Sequence, residues 1–219
     1  MDWEAKRAWA IAEHDRRAAT PTVAGERDDF RLAGIAGASW AAGLACAMVG
    51  RRDEAATWFR LAADEYATSW HAAPPGSWGR PIAMMRCRLL ADDLDGARAD
   101  ASAALDAGAA DATGPIGGYC AALALLALGR DAEAAPIAVR IAGEGLEPVA
   151  VADALAALAR DDATSYVSLR EAVLRSFEER DAFLEDVRVA DTVLVLDALA
   201  RERGLPIPPL DSPLLPSYP

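Results

Sequence analysis

A chain of 219 residues in which 53 % of side chains are apolar is long enough to bury a core and too apolar to remain disordered. Its formal net charge of −12 repels phosphate backbones, which disfavours nucleic acid and makes a basic protein the partner the charge would suit. Three cysteines, Cys46, Cys87 and Cys120, are odd in number, far apart and set in apolar helical contexts, so they are read as reduced core residues, not as a disulfide framework.

Lys6 is the only lysine, and every other cationic side chain is arginine. An acidic, Ala-rich, Lys-poor chain fits either codon bias or adaptation to high salt, so the acidity alone does not specify a partner. The first seventeen residues are charged throughout and lack an apolar signal segment, and no apolar run reaches the ~18 residues of a membrane span. The expectation is a cytoplasmic protein that engages no membrane.

Alanine favours helices, β-branched residues are sparse, and no long segment alternates with period two. The predicted elements follow in chain order. A first helix covers 2–19 and is broken by Thr20-Pro21-Thr22. A second covers 28–49, with Leu32, Ile35, Ser39, Ala42 and Cys46 on one face and internal Gly34, Gly37 and Gly43 that imply close packing. Gly50 stops it, and Asp53-Glu54 opens a third helix through Trp58, Phe59, Tyr66 and Trp70. A Pro/Gly loop at 72–80 separates an aromatic-rich part, 1–72, from an aliphatic part, 81–204, because all six tryptophans lie at or before Trp78. Beyond it, helices are predicted at 81–91, 95–107, 115–128, 132–142, 148–159, 164–183 and 187–203. Pro136 is assigned to the first turn of its helix or to a shifted start, and Pro148 to a position near N1. Gly204 ends the last helix, and the Pro-rich segment 205–219 is predicted to be extended and packed along the body through its leucines.

Three segments share one pattern, with a turn residue five positions before an alanine that opens a helix. These are Gly50 with Ala55, Asp92 with Ala97, and Gly129 with Ala134, at intervals of about 40 residues. The fold class is therefore all-α, with stacked antiparallel helical hairpins in a single domain at 1–204. It reads as either a tetratricopeptide-like α-solenoid or an irregular helical array. Gly43, Ala55, Phe59 and Ala62 stand at tetratricopeptide offsets, but Trp40 is one residue out of register and the closing proline is missing.

Residues for chemistry are few. His14 and His71 are the only histidines, neither has a Cys or His at ligand spacing, and each reads as a helix residue, His14 solvated and His71 beside a helix C-terminus. Asp92-Asp93-Leu94-Asp95 sits where a repeat turn is expected and reads as a cap, not a metal motif. Gly114-Pro115-Ile116-Gly117-Gly118 follows no strand and is read as a helix start. No catalytic, cofactor or metal-ligating residue is assigned, and a non-enzymatic protein-binding role is expected. The candidate partner-binding residues are Trp78, an aromatic in the long loop, and Glu178, Glu179, Glu185 and Asp186, an acidic run late in a long helix.

Two stretches resemble the immunity protein 49 family of polymorphic toxin systems. One runs from Val189 through Gly204 into Leu210-Asp211-Ser212-Pro213-Leu214-Leu215-Pro216. The other is Trp78 followed by Pro81-Ile82-Ala83-Met84-Met85-Arg86-Cys87-Arg88-Leu89-Leu90 and the turn at Asp92-Asp93. The resemblance as a whole extends over about half the chain, these stretches being the part that carries it, and Asp92 stands where that family would carry glycine. The resemblance implies a small helical protein that neutralises a cognate toxin by direct binding. The alternative is a tetratricopeptide-like adaptor holding a peptide, although the chain contains no asparagine for the usual carboxylate clamp.

Overall fold

The structure is a computed structural model that describes residues 1–22 and 27–217; the last two tail residues, 218–219, lie outside them. The described residues contain ten α-helices and no strand: α1 (Trp3–Ala19), α2 (Asp28–Met48), α3 (Arg52–Ala72), α4 (Gly79–Leu90), α5 (Leu94–Asp106), α6 (Pro115–Ala127), α7 (Asp131–Gly143), α8 (Val149–Ala159), α9 (Ala163–Glu178) and α10 (Asp191–Glu202). Each helix packs on the next in sequence, so the chain is a series of helical hairpins.

One chain-reversal device recurs between helices. At Gly50, Asp92, Gly129, Gly145, Asp161 and Gly204 the backbone takes a positive φ. The next amide then donates to a carbonyl five residues back: Arg51 to Cys46, Asp93 to Arg88, Arg130 to Leu125, Leu146 to Ile141, Asp162 to Ala157 and Leu205 to Ala200. This is the Schellman pattern, which satisfies the last helical carbonyls. The repeated turns at Gly50, Asp92 and Gly129 belong to this set. Asp161 extends it to a position where Tyr166 replaces the alanine, which hid the repeat. Asp93 and Asp162 then cap the following helices, each accepting an amide at 3.0 Å.

The helices form an inner and an outer layer. α6 contacts α4 and α8, and α10 crosses back onto α4, α8 and α9. α6 and α8 are buried along nearly their whole length, whereas the outer helices α5 and α7 bury a single stripe, Ala97, Ala101 and Ala104 in one and Ala134, Ala138 and Ile141 in the other. Two core clusters result. The N-terminal one centres on Trp40, Phe59 and Tyr66, and the C-terminal one on the leucines of α6, α8 and α10. α4 joins them, giving Ala83, Met84 and Cys87 to the first and Ile82, Met85 and Leu89 to the second.

Close approach explains one internal glycine in α2. A Cβ on Gly43 would lie 2.6 Å from the buried Phe59 ring, so α2 and α3 meet at a distance only glycine allows. The three thiols are free and buried. Burial pushes Cys46 and Cys120 up to about 12 and raises Cys87 as well, which keeps all three protonated and unreactive.

Several expectations need correction. α9 ends at Glu178 instead of 183, and α10 begins at Asp191 instead of 187, leaving 179–190 as a crossover with only a short 3-10 turn at Leu184–Asp186. Glu178, Glu179 and Asp181 put negative charge at a helix C-terminus, where the dipole disfavours it. Pro136 lies at the sixth position of α7, past the first turn, so the Ala132 carbonyl loses its helical amide. Pro148, expected near N1, is the N-cap of α8, one residue before N1. α2 is long and apolar enough by composition to cross a membrane, contrary to the sequence expectation. Yet 72 % of that window is buried inside the protein, because α2 is the central helix of the N-terminal cluster. His14 is not solvated: its Nε2 lies 3.0 Å from Glu65 Oε1, and its ring stands edge-on to Trp58.

α10 carries Asp197 into this apolar setting. Arg170 pairs with both of its carboxylate oxygens, and the Tyr166 hydroxyl donates to it at 2.8 Å. Arg170 Nη1 also donates to the Pro208 carbonyl at 2.7 Å, and the Ala190 amide donates to the Leu214 carbonyl at 2.9 Å. With Leu214 and Leu215 buried, these bonds fasten the tail to the body.

Two substitutions should move stability in opposite directions in urea unfolding. Gly43→Ala should destabilise by about 1–3 kcal/mol, because the buried ring has nowhere to move. Asp161→Gly should stabilise by up to about 1 kcal/mol, by relieving a non-glycine residue at φ +55°.

Candidate functional site

The turn in the crossover 179–190 is held against the N-terminal half by side chains of α1. Arg17, near the end of α1, donates Nη1 and Nη2 to the two Glu185 carboxylate oxygens, each at 2.8 Å. Its Nη1 also donates to the Gly34 carbonyl at 2.7 Å, and its Nε to Glu13 at 2.7 Å. Lys6 Nζ donates to the Glu185 carbonyl at 3.1 Å. Gly37 makes room for the pair, since a Cβ there would stand 3.0 Å from Glu185 Oε1. Glu185 and Asp186 both have positive φ, at 51° and 54°, a tight turn that the Arg17 fork fixes. Glu185, first of all, raises the basicity of Arg17, while burial lowers that of Lys6. Beyond the turn, Val187 and Val189 enter the N-terminal core cluster.

The predicted partner-binding residues therefore divide. Glu178, Glu179 and Asp186 are exposed, and Glu178 accepts a hydrogen bond from Ser212 of the tail at 2.8 Å. Glu185 is not a free surface acid but the anchor of the turn, with its carboxylate largely covered. The four acids do not share a helix: Glu178 ends α9, Glu179 caps it, and Glu185 and Asp186 belong to the crossover. Trp78 lies apart from them, half-buried at the N-cap of α4, with its indole 3.3 Å from where a Gly117 Cβ would be. It pins the loop to α6. Sequence reading missed Leu184, whose side chain is 44 % exposed at the outer edge of the crossover. A leucine between two predicted helices gives no sign, from its neighbours alone, of whether it packs inward or faces solvent.

A cavity of about 250 Å³ lies beneath the crossover, between it and α2, α4, α9 and α10. Its wall includes Trp40, Leu44, Arg86, Arg180, Phe183 and Thr192. Arg86 donates Nη2 to Asp191 at 2.8 Å and to Thr192 Oγ1 at 3.0 Å, and stacks over the Trp40 ring at 4.8 Å. Arg86 Nε and Trp40 Nε1 are buried within the packing, with almost no accessible surface and no hydrogen-bond partner among the described residues. Arg180 lies over the Phe177 ring at 3.5 Å and donates Nε to the Ser176 carbonyl at 3.3 Å. Among the described residues no carboxylate lies at ion-pair distance from it, and burial lowers its basicity.

Other polar clusters are committed to packing. Ser39, fully buried, donates to Glu65 Oε2 at 2.6 Å, and Glu65 also meets His14. The serine hydroxyl is thus tied to a carboxylate inside the helix packing. Asp29 gathers Arg27 and Arg80 at 2.9 and 3.2 Å where α2 begins. No grouping of three or more metal-ligating side chains occurs among the described residues.

Ten helices packed consecutively define an all-α protein of helical hairpins whose last helix folds back over the earlier ones. Comparison with family models, with curated proteins and with solved structures gives no significant match.

Removing the anchor tests this description of the crossover. Glu185→Ala should cost about 1.5–3 kcal/mol, the scale of hydrogen bonds to charged groups. Amide exchange should rise over 183–190 and stay near its native level in α6 and α8, as hydrogen-exchange mass spectrometry would report. Uniform loss of protection across the protein would contradict it.

Proposed function

We propose that this protein acts by binding another protein, and that it neutralises a cognate toxin by covering part of its surface. The observation that carries the reading is the crossover, a turn fixed by a bidentate ion pair that presents exposed Leu184 among the exposed acids Glu178, Glu179, Asp181 and Asp186. A prearranged apolar tip with an acidic rim loses little conformational entropy on binding, and its charge steers a basic partner. The net charge of −12 acts in the same direction. Resemblance to the immunity protein 49 family, carried by residues 189–216 and by Trp78 with 81–93, supports the toxin as the kind of partner. In this reading the protein is not an enzyme.

A tetratricopeptide-like adaptor is the second reading, and the Gly43–Phe59 contact between α2 and α3 favours it. That role needs an open concave face for a peptide. Here α10 lies across α4 and α8 on the inner side, which weighs against it.

The test is capture from native lysate with tagged protein, followed by kinetics on the retained partner. One stoichiometric basic partner, whose toxicity to cells is suppressed by co-expression of this protein, is the expected result. Several substoichiometric partners sharing a terminal motif would favour the adaptor. In surface plasmon resonance, neutralising Glu178, Glu179, Asp181 and Asp186 together to Gln or Asn should slow association about tenfold at low salt. Leu184→Asp should mainly speed dissociation. Association rates indifferent to all four charges would remove the crossover from the interface.

A further inference from the structure

One tryptophan belongs to neither core cluster nor to the crossover. Of the six, only Trp9 is exposed, with 44 % of its surface in solvent. Its ring is held in place: Lys6 Nζ lies 3.8 Å from the ring centroid and also donates to the Glu185 carbonyl at 3.1 Å. Ala5, Ala8 and Ala12 are exposed as well, at spacings that put them on the same helix face as Trp9. α1 therefore has two apolar faces. Trp3, Ala10 and Ile11 pack into the N-terminal cluster, while Ala5, Ala8, Trp9 and Ala12 face outward. α1 packs chiefly on α2, and no helix among the described residues covers the outward face. In stacked helical arrays a helix left uncovered on one side needs polar residues there to stay soluble.

Charge indicates what covers that face. Residues 2–19 carry four acids, Asp2, Glu4, Glu13 and Asp15, and four bases, Lys6, Arg7, Arg16 and Arg17. The helix is formally neutral, so the whole excess of −12 lies elsewhere in the chain. A basic partner is steered to the acidic crossover and not to a neutral helix. Two copies of this chain repel each other over most of their surfaces, and α1 is a place where they can meet without that penalty. The acids Asp2 and Glu4 open the helix and the bases Arg16 and Arg17 close it, an order that matches its own reverse.

We propose that the protein forms a two-fold symmetric dimer through antiparallel α1 helices. With the axis between residues 8 and 9, Ala5 of each copy lies opposite Ala12 of the other, and the two Ala8 residues face each other. The two Trp9 rings meet on one side of the axis and are buried there, which suits an aromatic pair. Asp2 spends one carboxylate oxygen, Oδ1, on capping α1, and its other oxygen is placed to meet Arg16 of the second copy. Because Lys6 and Arg17 tie each crossover to its own α1, the dimer carries two crossovers beside one seam. The inference stands apart from the toxin-binding reading and survives its failure.

The test uses the purified full chain alone, in analytical ultracentrifugation over a concentration series. A face roughly 25 Å long buries less than a standard interface, so a reversible dimer with a dissociation constant of about 10–100 µM is expected. Trp9→Glu sets two like charges against each other and should weaken the dimer at least about tenfold, whereas Trp9→Phe should retain most of the affinity. Circular dichroism checks that both variants keep native helicity, which an exposed position should permit. Ala8→Cys should cross-link two copies under mild oxidation, because a disulfide needs Cα atoms within about 7 Å. Ala19→Cys, equally exposed, should not, since the two sites lie roughly 30 Å apart in the antiparallel pair. The native thiols are buried and give no background. A monomer at every concentration up to about 500 µM would overturn the proposal. So would assembly beyond a dimer, a dimer indifferent to Trp9→Glu, or cross-linking through residue 19 as readily as through residue 8.

Discussion

A helix that is apolar on every side has no face to give to water, and α6 is such a helix. Tyr119 to Ala127 are all buried, so α6 must be covered on all sides. α5 and α7 cover it within the hairpins, and α4 and α8 flank it. α8 is equally apolar and needs cover of its own, which α10 provides by folding back across α8 and α4. An open solenoid would have left this inner face bare. The shape follows from that requirement, and the inner side of the array is occupied by the chain itself.

Closing the array brings Asp197 into the core, because it lies in the middle of α10. A buried carboxylate without partners would be severely destabilising, and removing one member of such a pair costs about 3–5 kcal/mol. Arg170 and Tyr166 supply the partners, and the remaining Arg170 nitrogen holds the tail at Pro208. One polar group thus fixes the relative placement of α9, α10 and the segment after Gly204. The crossover follows from the same closure: it must travel from the end of α9 to the start of α10 over the N-terminal cluster. Arg17 and Glu185 hold it there, and Val187 and Val189 seal it. The exposed leucine, the acidic rim and the cavity beneath all exist because that segment is pinned at its centre and bowed between two helix ends.

Much of this was legible from the chain. The ten helices were, because Gly50, Gly129 and Gly204 mark αL stops, acids open the following helices, and apolar residues recur at three and four. The glycine at 43 announced a close contact, which proved to be with Phe59. Asp161 escaped notice as a turn because it is neither glycine nor followed by an alanine at the fifth position, although its backbone bonds match those of the other five. The acidic run around 178–186 looked like one solvated helix face. Local pattern cannot reveal that Glu185 has a partner 168 residues away, since ion pairing between elements depends on how they pack. The same holds for His14, whose partner Glu65 lies on α3.

By itself the sequence determined what local forces decide: which segments are helical, where those with a glycine stop end, that the thiols sit in apolar surroundings, and that the chain is strongly acidic. Those properties depend on neighbours within one or two helical turns. Only the tertiary structure decided which helices lie inside, that α10 closes the array, that Glu185 serves the fold while Leu184 faces solvent, and that Arg86, Arg180 and Asp191 meet around one cavity. Each of these depends on groups far apart in the chain, whose meeting is dictated by the need to cover apolar helices on every side and to partner each charge that this covering buries.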